Sequence, residues 1–144
     1  MMHRVTRAAI ATAAIALLAL GGASAANAAP RIPLNNGQET TGAEGGAHGF
    51  FTYSIDGNQF CYTLSARDLT APATDAHIHK APQGAAAPPV IPMGAPTETS
   101  FMTEDCLTVD NAALLADIQQ NPRDYYVNVH TSTYPGGEIR GQLK

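Results

Sequence analysis

The clearest alternation of hydrophobic and polar positions lies on either side of Asp56-Gly57. In residues 49–55 and again in residues 58–66, aromatic or aliphatic side chains occupy every second position. A period of two is typical of a β-strand with one buried face. Asp and Gly both tolerate positive φ, so this pair favours a tight turn. The pattern predicts a hairpin of two antiparallel strands.

Shorter segments predict further strands at residues 31–34, 75–79, 101–109, 124–131 and 138–143, with a brief extended piece at residues 90–91. Polar and Gly-rich residues 38–47 predict a loop. Repeated prolines exclude a helix from residues 80–96. We therefore expect an all-β domain, a Greek-key or Ig-like β-sandwich or barrel of seven or eight strands.

One segment has the periodicity of a helix. Leu114, Leu115 and Ile118 fall on one face of residues 112–120. Either Asp110 or Asn111 can cap its N-terminus, and Pro122 marks its end.

The N-terminus has the pattern of a cleavable export signal. Arg4 and Arg7 precede an apolar segment at residues 8–20, and small-residue cleavage patterns end at Ala25 and Ala28. The apolar segment is shorter than the roughly 20 residues that a membrane-spanning helix needs. We expect a signal peptide at residues 1–28, a mature domain at residues 29–144 and secretion without membrane insertion. A retained N-terminal anchor is the alternative.

Charge and cysteine content limit the partners and the redox compartment of the mature domain. Of eight basic and twelve acidic residues, two basic ones lie in the signal, which leaves six against twelve and a net charge of −6. This balance argues against nucleic acid as a partner. The two cysteines, Cys61 and Cys106, are expected to form a disulfide after export. A pair of catalytic or metal-binding thiols is the alternative.

Histidines supply the candidate chemistry. On residues 75–79, Asp75, His77 and His79 share one strand face; on residues 124–131, His130 lies on the polar face. If the apolar faces pack inward and these strands are neighbours, the three imidazoles converge on one outer surface or cleft. Three imidazole nitrogens suit copper or zinc. His48 is an optional fourth ligand, and Asp75 or Glu138 can orient a ligand ring.

Other sequence motifs give little support to catalysis. The chain has no Gly-x-Ser-x-Gly segment and no Gly-rich phosphate loop before a helix. The alternative to a metal site is that the histidines are solvated polar positions of a β-sheet.

Two segments carry a resemblance to the chordin-type (CHRD) domain family. They are Ala76-His77-Ile78-His79, and Tyr126-Val127-Asn128-Val129-His130-Thr131 followed by Pro135-Gly136-Gly137-Glu138-Ile139-Arg140-Gly141-Gln142-Leu143; the early Leu34-Asn35-Asn36-Gly37-Gln38-Glu39 matches as well. The family usually has Gly after His-Ile-His, where this chain has Lys80-Ala81. The resemblance implies a β-sandwich or Ig-like barrel of extracellular proteins, and little about biochemistry.

A fainter likeness to Cu/Zn superoxide dismutase covers His77, His79 and His130 only. A bridging histidine and a zinc-binding loop are not recognisable in residues 80–96. We therefore expect a secreted, non-enzymatic binding or structural module with a His-based metal site, whose partner is an extracellular protein or a cell-envelope component. A copper or zinc protein with dismutase-like redox activity is the alternative.

Overall fold

A computed structural model describes residues 30–144 of the chain. The predicted signal peptide, residues 1–28, lies outside the described residues. The strands are β1 (Ile32–Asn35), β2 (His48–Asp56), β3 (Gln59–Arg67), β4 (Ala73–Lys80), β5 (Pro89–Pro92), β6 (Phe101–Thr108), β7 (Tyr125–Thr131) and β8 (Ile139–Gln142). One α-helix, α1, spans Ala112–Gln120, and short 3-10 turns occupy Asn36–Gln38 and Pro122–Asp124.

All eight strands form one antiparallel sheet that curls into a half-barrel. Its strand order is β5-β4-β7-β8-β1-β2-β3-β6. The predicted all-β class, the strand number and the single short helix are confirmed. Of the architectures expected, the continuous curled sheet corresponds to the barrel type. Strands β4 and β7 are neighbours, and this adjacency was the condition for bringing the histidines together.

One face of the sheet holds the hydrophobic core. Its largest fully buried apolar side chains come from β1, β2, β3, β4 and β8, from α1 and from the residue that follows β8. They are Phe51, Phe60, Ile32, Leu34, Leu64, Ile78, Leu115, Ile118, Ile139 and Leu143. Alternation along each strand sends its core residues to this face and the next residues to the opposite face.

The β2–β3 hairpin follows the sequence closely. Residues pair in continuous register from Asp56–Gln59 to His48–Arg67. Gly57 has a φ of 58°, which a glycine adopts without steric cost. Each strand extends one residue further than predicted at its outer end, to His48 and to Arg67, because the ladder of backbone hydrogen bonds continues past the alternating segment.

The helix has the bounds that its periodicity predicts. Asn111 is the cap, since its side-chain oxygen accepts a hydrogen bond from the Leu114 amide at 3.0 Å. Leu115 and Ile118 are buried against the core, and Leu114 is partly buried. Within residues 30–144, no helix combines the length and the hydrophobicity that crossing a bilayer requires.

The predicted disulfide is present between Cys61 and Cys106. The two residues lie directly opposite each other on β3 and β6, with Cα atoms 3.9 Å apart. Strand β6 is the last strand on its side of the sheet. The bond therefore fastens an edge strand to the body of the domain.

Candidate metal centre

Strands β4 and β7 place three histidines in one cluster. Their antiparallel register sets Asp75 opposite His130, and His77 opposite Asn128. His77 and His130 are therefore diagonal neighbours on the same face, a separation that side chains of this length can bridge. One ring nitrogen from each of His77, His79 and His130 lies within 4.8 Å of the other two.

The closest contact in the cluster joins two imidazoles directly. Nδ1 of His77 lies 3.0 Å from Nε2 of His130. The opposite nitrogen of each ring faces an oxygen: His77 Nε2 is 3.1 Å from Asp75 Oδ2, and His130 Nδ1 is 2.9 Å from the Pro135 carbonyl oxygen. A carbonyl and a carboxylate only accept hydrogen bonds, so these outer nitrogens carry the protons. In the neutral rings, the inner nitrogens then present lone pairs to each other.

His79 is held between two oxygens. Its Nδ1 lies 2.7 Å from the Ala87 carbonyl oxygen, and its Nε2 lies 3.0 Å from Oδ1 of Asn128. The NH₂ group of Asn128 lies 3.4 Å from the Gly136 carbonyl oxygen. Each of the three rings thus has at least one nitrogen held by an oxygen of the protein. Metal-binding histidines are held in this way by their outer partners.

The cluster is largely shielded from water. His79 is 4% exposed and His130 9%, while the His77 side chain is 16% exposed. Burial lowers the pKa of His79 and of His130 below the usual value of histidine, although hydrogen bonds to backbone carbonyls act in the opposite direction. Burial therefore favours neutral rings, the form that binds metal.

Burial of this polar face departs from the solvated sheet surface considered as the alternative. All seven residues of β7 are buried, polar and apolar alike. Residues 81–88, which we call the covering loop, make hydrogen bonds to the side chains of His79, Arg140 and Gln142. Nothing in the Ala- and Pro-rich composition of this loop indicates that it packs onto the polar face.

Two residues named from the sequence lie apart from the cluster. The ring of His48 contacts the Gly46 carbonyl oxygen at 3.1 Å and lies 3.8 Å from Asp68, and the structure does not bring it to the other three histidines. The carboxylate of Glu138 is fully buried and accepts hydrogen bonds from the Thr70 amide and from the hydroxyls of Thr70 and Thr131. These contacts tie the segment after β3 to β7.

Residues with no role assigned from the sequence surround His79. The ring of Tyr126 stacks on His79 with centroids 4.7 Å apart and an angle of 6° between the planes. Asn128 contacts His79 through its side-chain oxygen, and its NH₂ group lies 3.4 Å from the Gly136 carbonyl oxygen. Alternation along β7 places Tyr126 and Asn128 on the face of His130, which is the signal that could have identified them.

The fold and this cluster define a disulfide-bridged all-β domain with buried imidazoles on the sheet face opposite its hydrophobic core. The family model described as CHRD domain matches residues 26–143, nearly the whole chain. The chain belongs to the CHRD domain family, and the resemblance drawn from its motifs is confirmed. Comparison with curated proteins and with solved structures gave no significant match.

Proposed function

We propose that the domain is an exported, non-enzymatic module that binds one copper or zinc ion through His77, His79 and His130. The observation that carries this proposal is the 3.0 Å approach of two ring nitrogens, His77 Nδ1 and His130 Nε2. Without a proton or a cation between them, two lone pairs at this distance repel each other. A metal ion removes that repulsion.

The spacing of the nitrogens suits a common ion. Metal–nitrogen distances of 2.0–2.1 Å and tetrahedral angles put two ligand nitrogens about 3.3 Å apart. The His77–His130 pair is close to this value. The third nitrogen, within 4.8 Å of the others, needs to approach by up to about 1.5 Å, which a small side-chain rotation supplies. Asn128 gives up its contact with His79 Nε2 in this step.

The ligand set favours copper or zinc over the hard cations. Imidazole nitrogen is a good ligand for zinc and copper, whereas magnesium and calcium prefer oxygen. Asp75, whose side chain is 45% exposed, contacts His77 on the solvent side of the cluster. Its carboxylate attracts cations toward the most accessible of the three rings.

Export is part of the proposal. The signal pattern of residues 1–28 and the Cys61–Cys106 disulfide both fit an oxidising compartment outside the cytoplasm. Mass spectrometry of the protein recovered from culture medium tests this step. A mature N-terminus at Ala29 or Ala26 supports it, and a full-length chain retained in the cells contradicts it.

Metal-dependent thermal stability tests the binding site. One equivalent of Zn²⁺ or Cu²⁺ should raise the melting temperature of the wild-type domain, because a ligand that binds only the folded state stabilises it. The shift should disappear in a variant with His77→Ala and His79→Ala. The matched control is His48→Ala, which removes an imidazole outside the cluster and should keep the shift. An equal metal shift in the double variant would contradict the proposal.

The redox alternative has one supporting feature. Three protein ligands leave the fourth position of a tetrahedral ion for water or a substrate, as in catalytic zinc sites. Superoxide consumption by the copper-loaded domain decides between the two functions. Turnover by the copper-loaded wild type that is absent from the His77→Ala and His79→Ala variant would favour an enzyme. Turnover no greater than that of the copper-free domain would favour the non-enzymatic module.

A further inference from the structure

Arg140 is the largest side chain buried in the domain, at 1% exposure. Its guanidinium donates to two carbonyl oxygens of the covering loop, from Nη1 to Ala85 at 2.7 Å and from Nη2 to Pro82 at 3.0 Å. Nη2 also lies 3.2 Å from Gln142 Oε1. A buried cation is costly unless it is hydrogen-bonded, so the position of the loop and that of Arg140 depend on each other.

A stack of three planar groups joins Arg140 to the metal centre. The guanidinium carbon lies 3.4 Å from the centroid of the Tyr126 ring, a cation–π contact. On its other face, the Tyr126 ring stacks in parallel on the His79 ring, with centroids 4.7 Å apart. The plane of the His79 ring is therefore set by a ring that Arg140 itself holds.

A second connection runs through the covering loop. Ala87, in the same loop as the two carbonyls that Arg140 binds, accepts the N–H of His79 at 2.7 Å. The Ala87 amide in turn lies 3.3 Å from the Tyr126 hydroxyl. One of the two contacts that hold the ring nitrogens of His79 thus belongs to a loop anchored by Arg140.

We propose that Arg140 is a positioning residue of the metal centre, which holds His79 in its metal-binding orientation through Tyr126 and the covering loop. This inference rests on the proposed function and gives a role to a residue 61 positions away from His79 in the chain. Arg140 touches no ring nitrogen of the cluster and supplies no ligand. It acts on the orientation of one ligand, the His79 ring.

The first test is the variant Arg140→Lys, which keeps the charge but loses the planar fork that reaches two carbonyls and stacks on a ring. Calorimetric titration with Zn²⁺ should give a Kd about 10- to 100-fold weaker, the range typical of residues that orient metal ligands. The control Arg67→Lys makes the same change at an exposed arginine and should leave Kd unchanged. An unchanged Kd in Arg140→Lys would overturn the inference.

A double-mutant cycle separates positioning from general loss of structure. In a His79→Ala background, the orientation of that ring no longer matters, so Arg140→Lys should cause no further weakening of zinc binding. An equal fold-change in both backgrounds would show that Arg140 acts without His79 and would overturn the inference. If Arg140→Lys does not fold, Tyr126→Leu, which removes the ring between Arg140 and His79, takes its place in the same cycle.

A measurement on the metal-free domain keeps the inference separate from the proposed function. NMR should show close contacts between the ring protons of His79 and those of Tyr126 in the wild type. In Arg140→Lys these contacts should weaken, because Arg140 no longer holds Tyr126 and the covering loop in place. If the wild type binds no zinc, the proposed function fails, and this comparison still decides the inference: equally strong contacts in both proteins would overturn it.

Discussion

Nδ1 of His77 and Nε2 of His130 lie 3.0 Å apart, although the two residues are 53 positions apart in the chain. The contact depends on the antiparallel register of β4 and β7, which makes the two residues diagonal neighbours on one face. A shift of the register by one residue would turn His130 to the opposite face of the sheet. The histidine cluster is therefore a consequence of strand pairing.

Loss of the disulfide should destabilise the domain without removing the cluster. The bond spans 45 positions, for which the chain-entropy relation gives about 4 kcal/mol. We expect the variant with Cys61→Ala and Cys106→Ala to unfold at lower denaturant concentration, and the wild type to unfold at the same lower concentration once reduced. Equal unfolding midpoints of the oxidised wild type and the variant would contradict this account of the bond.

Glu138 should be important for stability rather than for metal binding. Its buried carboxylate accepts three hydrogen bonds from Thr70 and Thr131. Glu138→Ala leaves these donors unpaired and should lower the free energy of unfolding by about 3–5 kcal/mol, as measured by urea titration. Glu98→Ala, at an exposed position, is the control and should change it little. A cost within the error of the control would refute this role.

The N-terminal cap of α1 offers a test of local structure. Asn111→Ala removes the side-chain oxygen that binds the Leu114 amide and should cost about 1 kcal/mol of stability. Asp110→Ala makes a similar truncation one residue earlier, outside the cap, and serves as its control in the same denaturation experiment. A larger loss of stability for Asp110→Ala than for Asn111→Ala would show that Asn111 is not the capping residue.

Stability should depend on pH through Glu39. Burial raises the pKa of its carboxyl above the usual value, and the hydrogen bond from Asn128 and the charge of Arg140 offset this only in part. The folded state thus holds the proton more tightly than the unfolded chain, and this contribution to stability is lost as pH rises through the raised pKa.

Glu39→Gln checks the sign of this effect. The neutral side chain avoids the cost of a buried charge, so the variant should melt at a higher temperature than the wild type at pH 7. The difference should shrink below about pH 4, where the wild-type carboxyl is protonated in both states. A variant that is less stable than the wild type at pH 7 would contradict the argument.

Local patterns predicted the local elements well. The β2–β3 hairpin, the bounds of α1 and the face shared by His77 and His79 all follow from alternation, turn residues and capping, which act between near neighbours. Terminal positions differ by one or two residues, as in β1, which is Ile32–Asn35 rather than residues 31–34. Ends of strands depend on the pairing partner, which local pattern does not specify.

The environment of the histidine cluster depends on contacts between distant segments. Alternation placed Tyr126, Asn128 and Arg140 on polar strand faces that form an outer surface or line a cleft. The covering loop holds Arg140 through two backbone carbonyls, which are present in every residue and leave no mark in the sequence. Packing of this loop also explains why β7 is buried along its whole length although one of its faces is polar.

The structure of the zinc-loaded domain tests the central claim most directly. We predict a single metal ion about 2.0–2.1 Å from His77 Nδ1, His130 Nε2 and a nitrogen of His79, with Asn128 withdrawn from that ring. A zinc ion bound elsewhere on the domain, or bound without His77 and His130, would contradict it.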